Sequence, residues 1–183
     1  MEELVESFSY EEINKSGARF DFKKALWINH LHLKDLESKR ILDLSEQTKK
    51  LLVEKYSEPE AIKIIELVKE RLNTTKDIDK ELSVFIKQPK EIDVSAIEKI
   101  NREVIFNDLN FCKLNNEFIK SSSELKNELM KFGAENDISF GNIMKTLRLS
   151  LVGSLSGPEL FKIIDFIGPE ETLQRIENLM NKI

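Results

Sequence analysis

Cysteine is almost missing from this chain. Cys112 stands alone among 183 residues, so neither an internal disulfide framework nor a thiolate-based zinc site can exist. Glycine and proline are scarce too, at six and four, which excludes fibrous and low-complexity classes and suits a helix-rich protein. No run approaches the roughly 20 apolar residues that span a bilayer. The acidic opening Met-Glu-Glu-Leu-Val-Glu lacks the basic-then-apolar order of a secretory leader, so a cytoplasmic protein with no membrane partner is expected. Positive charge is also short. The net charge is −5, and in no third of the chain do Lys and Arg outnumber Asp and Glu. That excludes a generally basic nucleic-acid-binding stripe. Any RNA must be held by a few placed groups on a shaped surface.

Catalytic chemistry is absent in the same way. No carboxylate pair, nucleophile-base pair or metal cluster stands out. His30 and His32, two apart on a helix, point to different faces and have no third ligand beside them. Lys15-Ser16-Gly17 lacks the upstream glycine that shapes a phosphate loop. The expectation is therefore no catalytic residue, no metal site and no cofactor within this stretch.

What the chain does contain is a succession of capped amphipathic helices, with no sustained strand alternation and no fixed-period repeat. Ser9-Tyr-Glu-Glu12 reads as a capping box, and Gly17 as the turn after a short helix. Asp21 reads as the cap of a helix through Leu33, with Phe20, Leu26 and Trp27 anchoring it to a core. Ile41, Leu44 and Leu51-Leu52 mark a helical region broken near Ser45. Pro59 opens a helix buried along Ile62, Ile65, Val68 and Leu72, and Asn73-Thr-Thr75 caps a short helix containing Ile78, Leu82 and Phe85. Gln88-Pro89 is the best boundary between two halves. Beyond it, Ser95 to Glu98 reads as a capping box for a helix with Ile97, Ile100, Val104 and Leu109 inward, and Cys112 as a buried thiol. Ser121 opens a helix that Gly133 is expected to stop.

The last third centres on a corner. A helix from about Phe140 carries Arg148, Gly153 stops it, and Pro158 is suited to the first turn of the next. The reversal brings Arg148 toward a helix N-terminus with free amides, where Leu160 and Phe161 offer apolar surface to an unstacked base. The other reading is an ordinary corner, with Arg148 solvated and Phe161 in the core. Gly168 ends this helix and Pro169 opens the last one.

Ile13-Asn-Lys-Ser-Gly-Ala-Arg-Phe-Asp21, followed by Leu26-Trp27-x-Asn29-x-x-His32-Leu33, resembles the K-S-G-A-x-F-D and L-W-x-N-x-x-Y segment of bacterial glutamyl-tRNA synthetases. His32 replaces the commoner tyrosine. Residues 143 to 176, with M-K-T-L-R-L-S-L-V-G, S-G-P-E-L-F, I-G-P-E-E-T-L and R-I, are similar to the C-terminal end of the same enzymes, with Val152 where threonine is usual. The resemblance implies an all-α fold, since glutaminyl and eukaryotic-type relatives build this part from β-barrels. It implies the end of a tRNA stem-contact domain at 1–37 and anticodon-binding helical subdomains at 38–90 and 91–183.

By the same resemblance the partner is tRNA(Glu), bound by a monomer, and the anticodon is met by Arg71, Arg148, Gly157, Pro158, Leu160 and Phe161. An arginine at 71 could tell cytosine from guanine on the Watson-Crick edge; a helix arginine paired with a neighbouring glutamate is the other reading. The parent reaction attaches glutamate to tRNA with ATP and Mg2+. Neither H-I-G-H nor a K-M-S-K-S-type signature occurs here, so this stretch is expected to be inactive alone. A helical protein-interaction module without an RNA role is the alternative.

Overall fold

The computed structural model describes residues 2–12, 17, 19–100, 102–115, 117, 119 and 121–183. The helices are α1 (Glu2–Glu6), α2 (Phe22–Asp35), α3 (Ser38–Asp43), α4 (Glu46–Lys55), α5 (Glu58–Lys69), α6 (Thr75–Ile86), α7 (Val94–Ile100), α8 (Arg102–Leu114), α9 (Ser122–Glu135), α10 (Phe140–Val152) and α11 (Leu160–Met180), the last broken by a kink at Gly168 (φ 80°, ψ 171°), where the sequence predicts one helix to end and Pro169 to open the next. No strand occurs among the described residues, as the lack of period-2 patterning requires. The expected turn at 14–16 and the Lys15-Ser16 pair lie outside the described residues. Ser9 opens only a single 3-10 turn at Tyr10–Glu12, in which its hydroxyl accepts from Glu11 N.

Two packing groups follow the chain. Helices α3 to α6 contact one another, α7 to α11 contact one another, and α11 also reaches α6. In the first group Ile41, Leu52, Ile64, Ile65, Val68, Leu72, Ile78, Leu82 and Phe85 are all fully buried. Short polar bonds from Ser45 and Thr48 to Asp79 tie α4 to α6. In the second group Ile105, Leu109, Cys112, Leu129, Ile143, Leu149, Ile163 and Ile176 form the core. Apolar burial along one stripe of each helix is what holds such short elements together, since helices of this length are marginal alone.

One buried cation joins the groups. Arg175 of α11 is 1% exposed. Its Nη1 donates to Val84 O and Leu151 O at 2.8 Å each, Nη2 to Lys87 O at 3.1 Å, and Nε to Glu171 Oε1 at 2.8 Å. It therefore caps the C-terminal carbonyls of both α6 and α10, where a positive charge meets the negative end of the helix dipole. Phe166 of α11 adds edge-to-face contacts with Tyr56 and Phe85, at 6.1 and 6.0 Å between ring centroids.

Several expectations change. Leu44 and Leu51 are 50% and 49% exposed, because α3 and α4 are separate helices and their apolar registers do not join. Phe20 and Trp27 are 77% and 58% exposed, so they anchor no core. Helix α2 docks instead by its other face: Leu33 is buried, His30 Nδ1 lies 2.8 Å from Leu72 O, Asn29 donates to Asn73 O, and Lys34 pairs with Glu70 at 2.7 Å. Asp93, not Ser95, caps α7 by accepting from Ala96 N. Gly133 lies inside α9 rather than ending it, and an added Cβ there would meet Ile138 O at 2.6 Å. It serves a close approach of the following turn.

Candidate nucleic-acid interface

The corner begins where α10 runs out. Gly153 has φ 81° and its N–H bonds back to Leu149 O, the left-handed cap that glycine alone adopts without steric cost. Ser154 Oγ donates to Ser156 O at 2.7 Å, which tightens the turn. Pro158 precedes the cap instead of occupying the first helical turn, and Glu159 caps α11. The Glu159 carboxylate accepts from Phe161 N at 3.1 Å and Lys162 N at 2.8 Å. The free amides expected there are therefore already filled, and by an anion, which removes that terminus as a phosphate seat.

Arg71 reaches the same corner from the other packing group. It sits in the turn after α5, with its N–H bonded to Val68 O at 2.8 Å. Nε donates to Glu81 Oε2 of α6 at 2.7 Å, and Nη2 donates to Ser156 Oγ at 3.0 Å. Its Nη1 keeps no protein partner among the described residues. The paired-arginine reading thus holds, but the carboxylate belongs to the next helix and aims the guanidinium at the corner.

Between these parts lies a cleft of about 160 Å³, lined by Arg71, Lys80, Glu81, Ser83, Val84, Val152, Ser154, Ser156, Gly157 and Pro158. A wall of half-buried Val84 and Val152 and the buried Pro158 faces hydroxyls and the cations Arg71 and Lys80. That mixture suits the flat face and polar edge of a nucleobase.

Arg148 stands just behind this wall. It is half-buried, and Nη1 donates to Pro158 O at 2.6 Å. Burial, with the nearby charge of Arg71 second, holds its pKa below the usual arginine value, while Glu159 acts against both. The two guanidiniums repel each other, while the Glu81 and Glu159 carboxylates act against that repulsion. A Cβ on Gly157 would come within 3.0 Å of Val152 Cγ1 and 3.4 Å of Arg148 Nη1, so the bare backbone there permits the close packing of corner and arginine.

The structure thus brings Arg71, Gly157 and Pro158 to one cleft, with Arg148 supporting it. Phe161 is half-buried on the first turn of α11, and Lys126 Nζ of α9 lies 6.0 Å from its ring centroid. Leu160 does not belong to the surface. It is 2% exposed, because it is turned into the core beside Ile163 and Ile164, and offers no face to a base. Sequence reasoning missed Ser156, Glu81 and Lys80. The one usable signal was Glu81 at ten residues from Arg71, too far for an intrahelical pair. Across the described residues, no group of three or more potential metal ligands is found.

A family model for an anticodon binding domain matches residues 37–180. A glutamate-tRNA ligase from Flavobacterium johnsoniae is 32% identical, matching 100% of this chain and 37% of its own length, and one from Amoebophilus asiaticus is 31% identical over 100% and 36%. The crystal structure of a glutamate tRNA ligase from Elizabethkingia meningosepticum, in complex with its amino acid, superposes with a TM-score of 0.73 at 32% identity. It covers 98% of this chain and 36% of that one. A glutamate-tRNA synthetase from Elizabethkingia anophelis gives 0.74 at 30% identity over the same shares. The chain thus spans little more than a third of these relatives, and the family resemblance and the all-α fold are both borne out.

Proposed function

The chain belongs to the anticodon-binding domain family, and on that premise we propose that it reads the anticodon of tRNA(Glu) as the C-terminal part of a glutamate-tRNA ligase. Activation of glutamate with ATP and Mg2+ belongs to the part of such a ligase that these residues do not match, and this stretch alone is inactive. In this reading residues 1–37 end the stem-contact domain, while 38–90 and 91–183 are the two anticodon-binding subdomains. The chain works as a monomer in the cytoplasm; no described helix is long and apolar enough to cross a membrane.

The observation that carries this reading is the convergence of Arg71, from the first helical group, on the Ser156 to Pro158 corner of the second. A ligand there is held from both sides, and only a splayed base presents an edge to Arg71 Nη1 and a face to the apolar wall together. The family membership weighs against a protein-interaction module with no RNA role.

Titration of the chain with a tRNA(Glu) transcript, and with one whose anticodon cytosine is changed to guanine, tests this. The wild-type chain should prefer the first. Arg71→Ala should weaken cognate binding by about 1 to 3 kcal/mol and abolish the preference. Equal wild-type affinity for both transcripts would overturn the reading.

A further inference from the structure

We propose that a lysine-lined groove leading out of the cleft carries the phosphate backbone of the strand whose bases enter it. The groove, of about 430 Å³, follows the C-terminal end of α6 and the connector to α7, and is lined by Lys80, Lys87, Pro89 and Lys90. It shares Lys80, Ser83, Val84 and Val152 with the cleft, so the two adjoin. This inference rests on the anticodon reading for the identity of the ligand.

The three lysines there sit in no salt bridge among the described residues, although the charge of Lys80 also acts on Asp77. Lys34, Lys39, Lys49, Lys113, Lys131 and Lys162 are each matched to a carboxylate. Lys80, Lys87 and Lys90 are exposed and form no such salt bridge among the described residues. One acid, Glu91, shares the groove, which leaves an excess of positive charge on a protein whose net charge is −5. On a protein of net charge −5, three lysines beside a base-sized cleft supply a local attraction for RNA.

The connector is also fixed in place. Arg175 donates to Lys87 O and Lys182 to Lys90 O at 3.4 Å. Asn178 bonds Gln88, Asp93 N bonds Gly153 O at 2.8 Å, and a Cβ at Gly153 would strike Glu91 O and Pro89 Cβ. Locking the backbone holds Lys87 and Lys90 ready, so less freedom is lost when phosphates arrive. Lysines at these positions act as point charges and contribute grip without sequence choice.

The test is a double variant, Lys87→Gln/Lys90→Gln, which leaves the cleft's own Lys80 in place, with Lys49→Gln on α4 as control. Affinities for the cognate and anticodon-changed transcripts are measured between about 50 and 200 mM salt. Each lost single-strand contact removes roughly 0.7 from the slope of log K against log salt. The double variant should therefore be shallower by about 1.4, with its melting temperature and its ratio between the two transcripts unchanged. An unchanged slope overturns the groove while leaving the anticodon reading intact, and loss of wild-type discrimination does the reverse. Should an aspartate-rich peptide lose affinity in the variant while tRNA does not, the groove serves an acidic protein and the phosphate assignment fails.

Discussion

At the scale of single residues, the sharpest anomaly is Asp108. It is 0% exposed on α8, its Oδ2 accepts from Thr146 Oγ1 of α10 at 2.9 Å, and its Oδ1 has no partner. Burial raises its pKa above the usual carboxylate value, with the Thr146 bond opposing. Burial, then the charge of Asp108, pushes the nearby Cys112 thiol to about 12, which keeps that cysteine protonated and unreactive. A carboxyl whose folded pKa is raised holds its proton where the unfolded chain has released it. Its presence therefore costs stability as pH climbs through that window. Asp108→Asn should remove this dependence, so urea unfolding from pH 4 to 8 should show the variant gaining on the wild type as pH rises. A constant difference between them across that range would contradict the buried, ionising carboxyl.

At the scale of elements, α10 carries two glycines with opposite expectations. Gly141 lies in its first turn with nothing within 4 Å of an added Cβ, whereas Gly153 has φ 81° and a Cβ there would meet Glu91 O at 2.4 Å. Gly141→Ala should stabilise by about 0.5 to 1 kcal/mol, by limiting the unfolded chain. Gly153→Ala should destabilise by about 2 kcal/mol or more, from left-handed strain plus the clash. Chemical denaturation of both variants reads the contrast, and equal effects would show that neither space nor φ decides. Elements were also the most legible scale. Asp21, Thr74, Ser121 and Gly153 announced helix ends because caps are local chemistry. Faces were less legible. Leu44 and Trp27 look like core in sequence, yet where neighbouring helices pack decides their burial. The site was legible in part: Arg71 and the corner could be named, but a separation of 85 positions between Arg71 and Ser156 lies beyond any local pattern. Leu160 was misplaced because the turn, set by Glu159 instead of Pro158, rotates it inward.

At the scale of the molecule, the cleft exists only while the two helical groups keep their relation, and Arg175 is the chief polar tie between them. Sequence hints at it faintly, as a charge on the buried face made by Thr172, Ile176 and Leu179. A buried arginine stabilises only when its donors are matched, and this one is matched to three carbonyls and a carboxylate from three elements. Arg175→Met fills similar space but strips those acceptors of their partner, so the loss should be about 3 kcal/mol. Against a usual total of about 5 to 15 kcal/mol, that is large enough to separate the groups. Unfolding followed by circular dichroism should change from one transition to two, and hydrogen exchange should quicken at the C-terminal turns of α6 and α10. Discrimination between the two transcripts should fall further than affinity for either, since Arg71 and the corner no longer share a fixed frame. Arg175→Lys, which keeps the charge but cannot span three carbonyls, should restore little of that discrimination. A single, unshifted transition in Arg175→Met would mean that apolar contacts such as Phe166 with Tyr56 and Phe85 hold the frame by themselves.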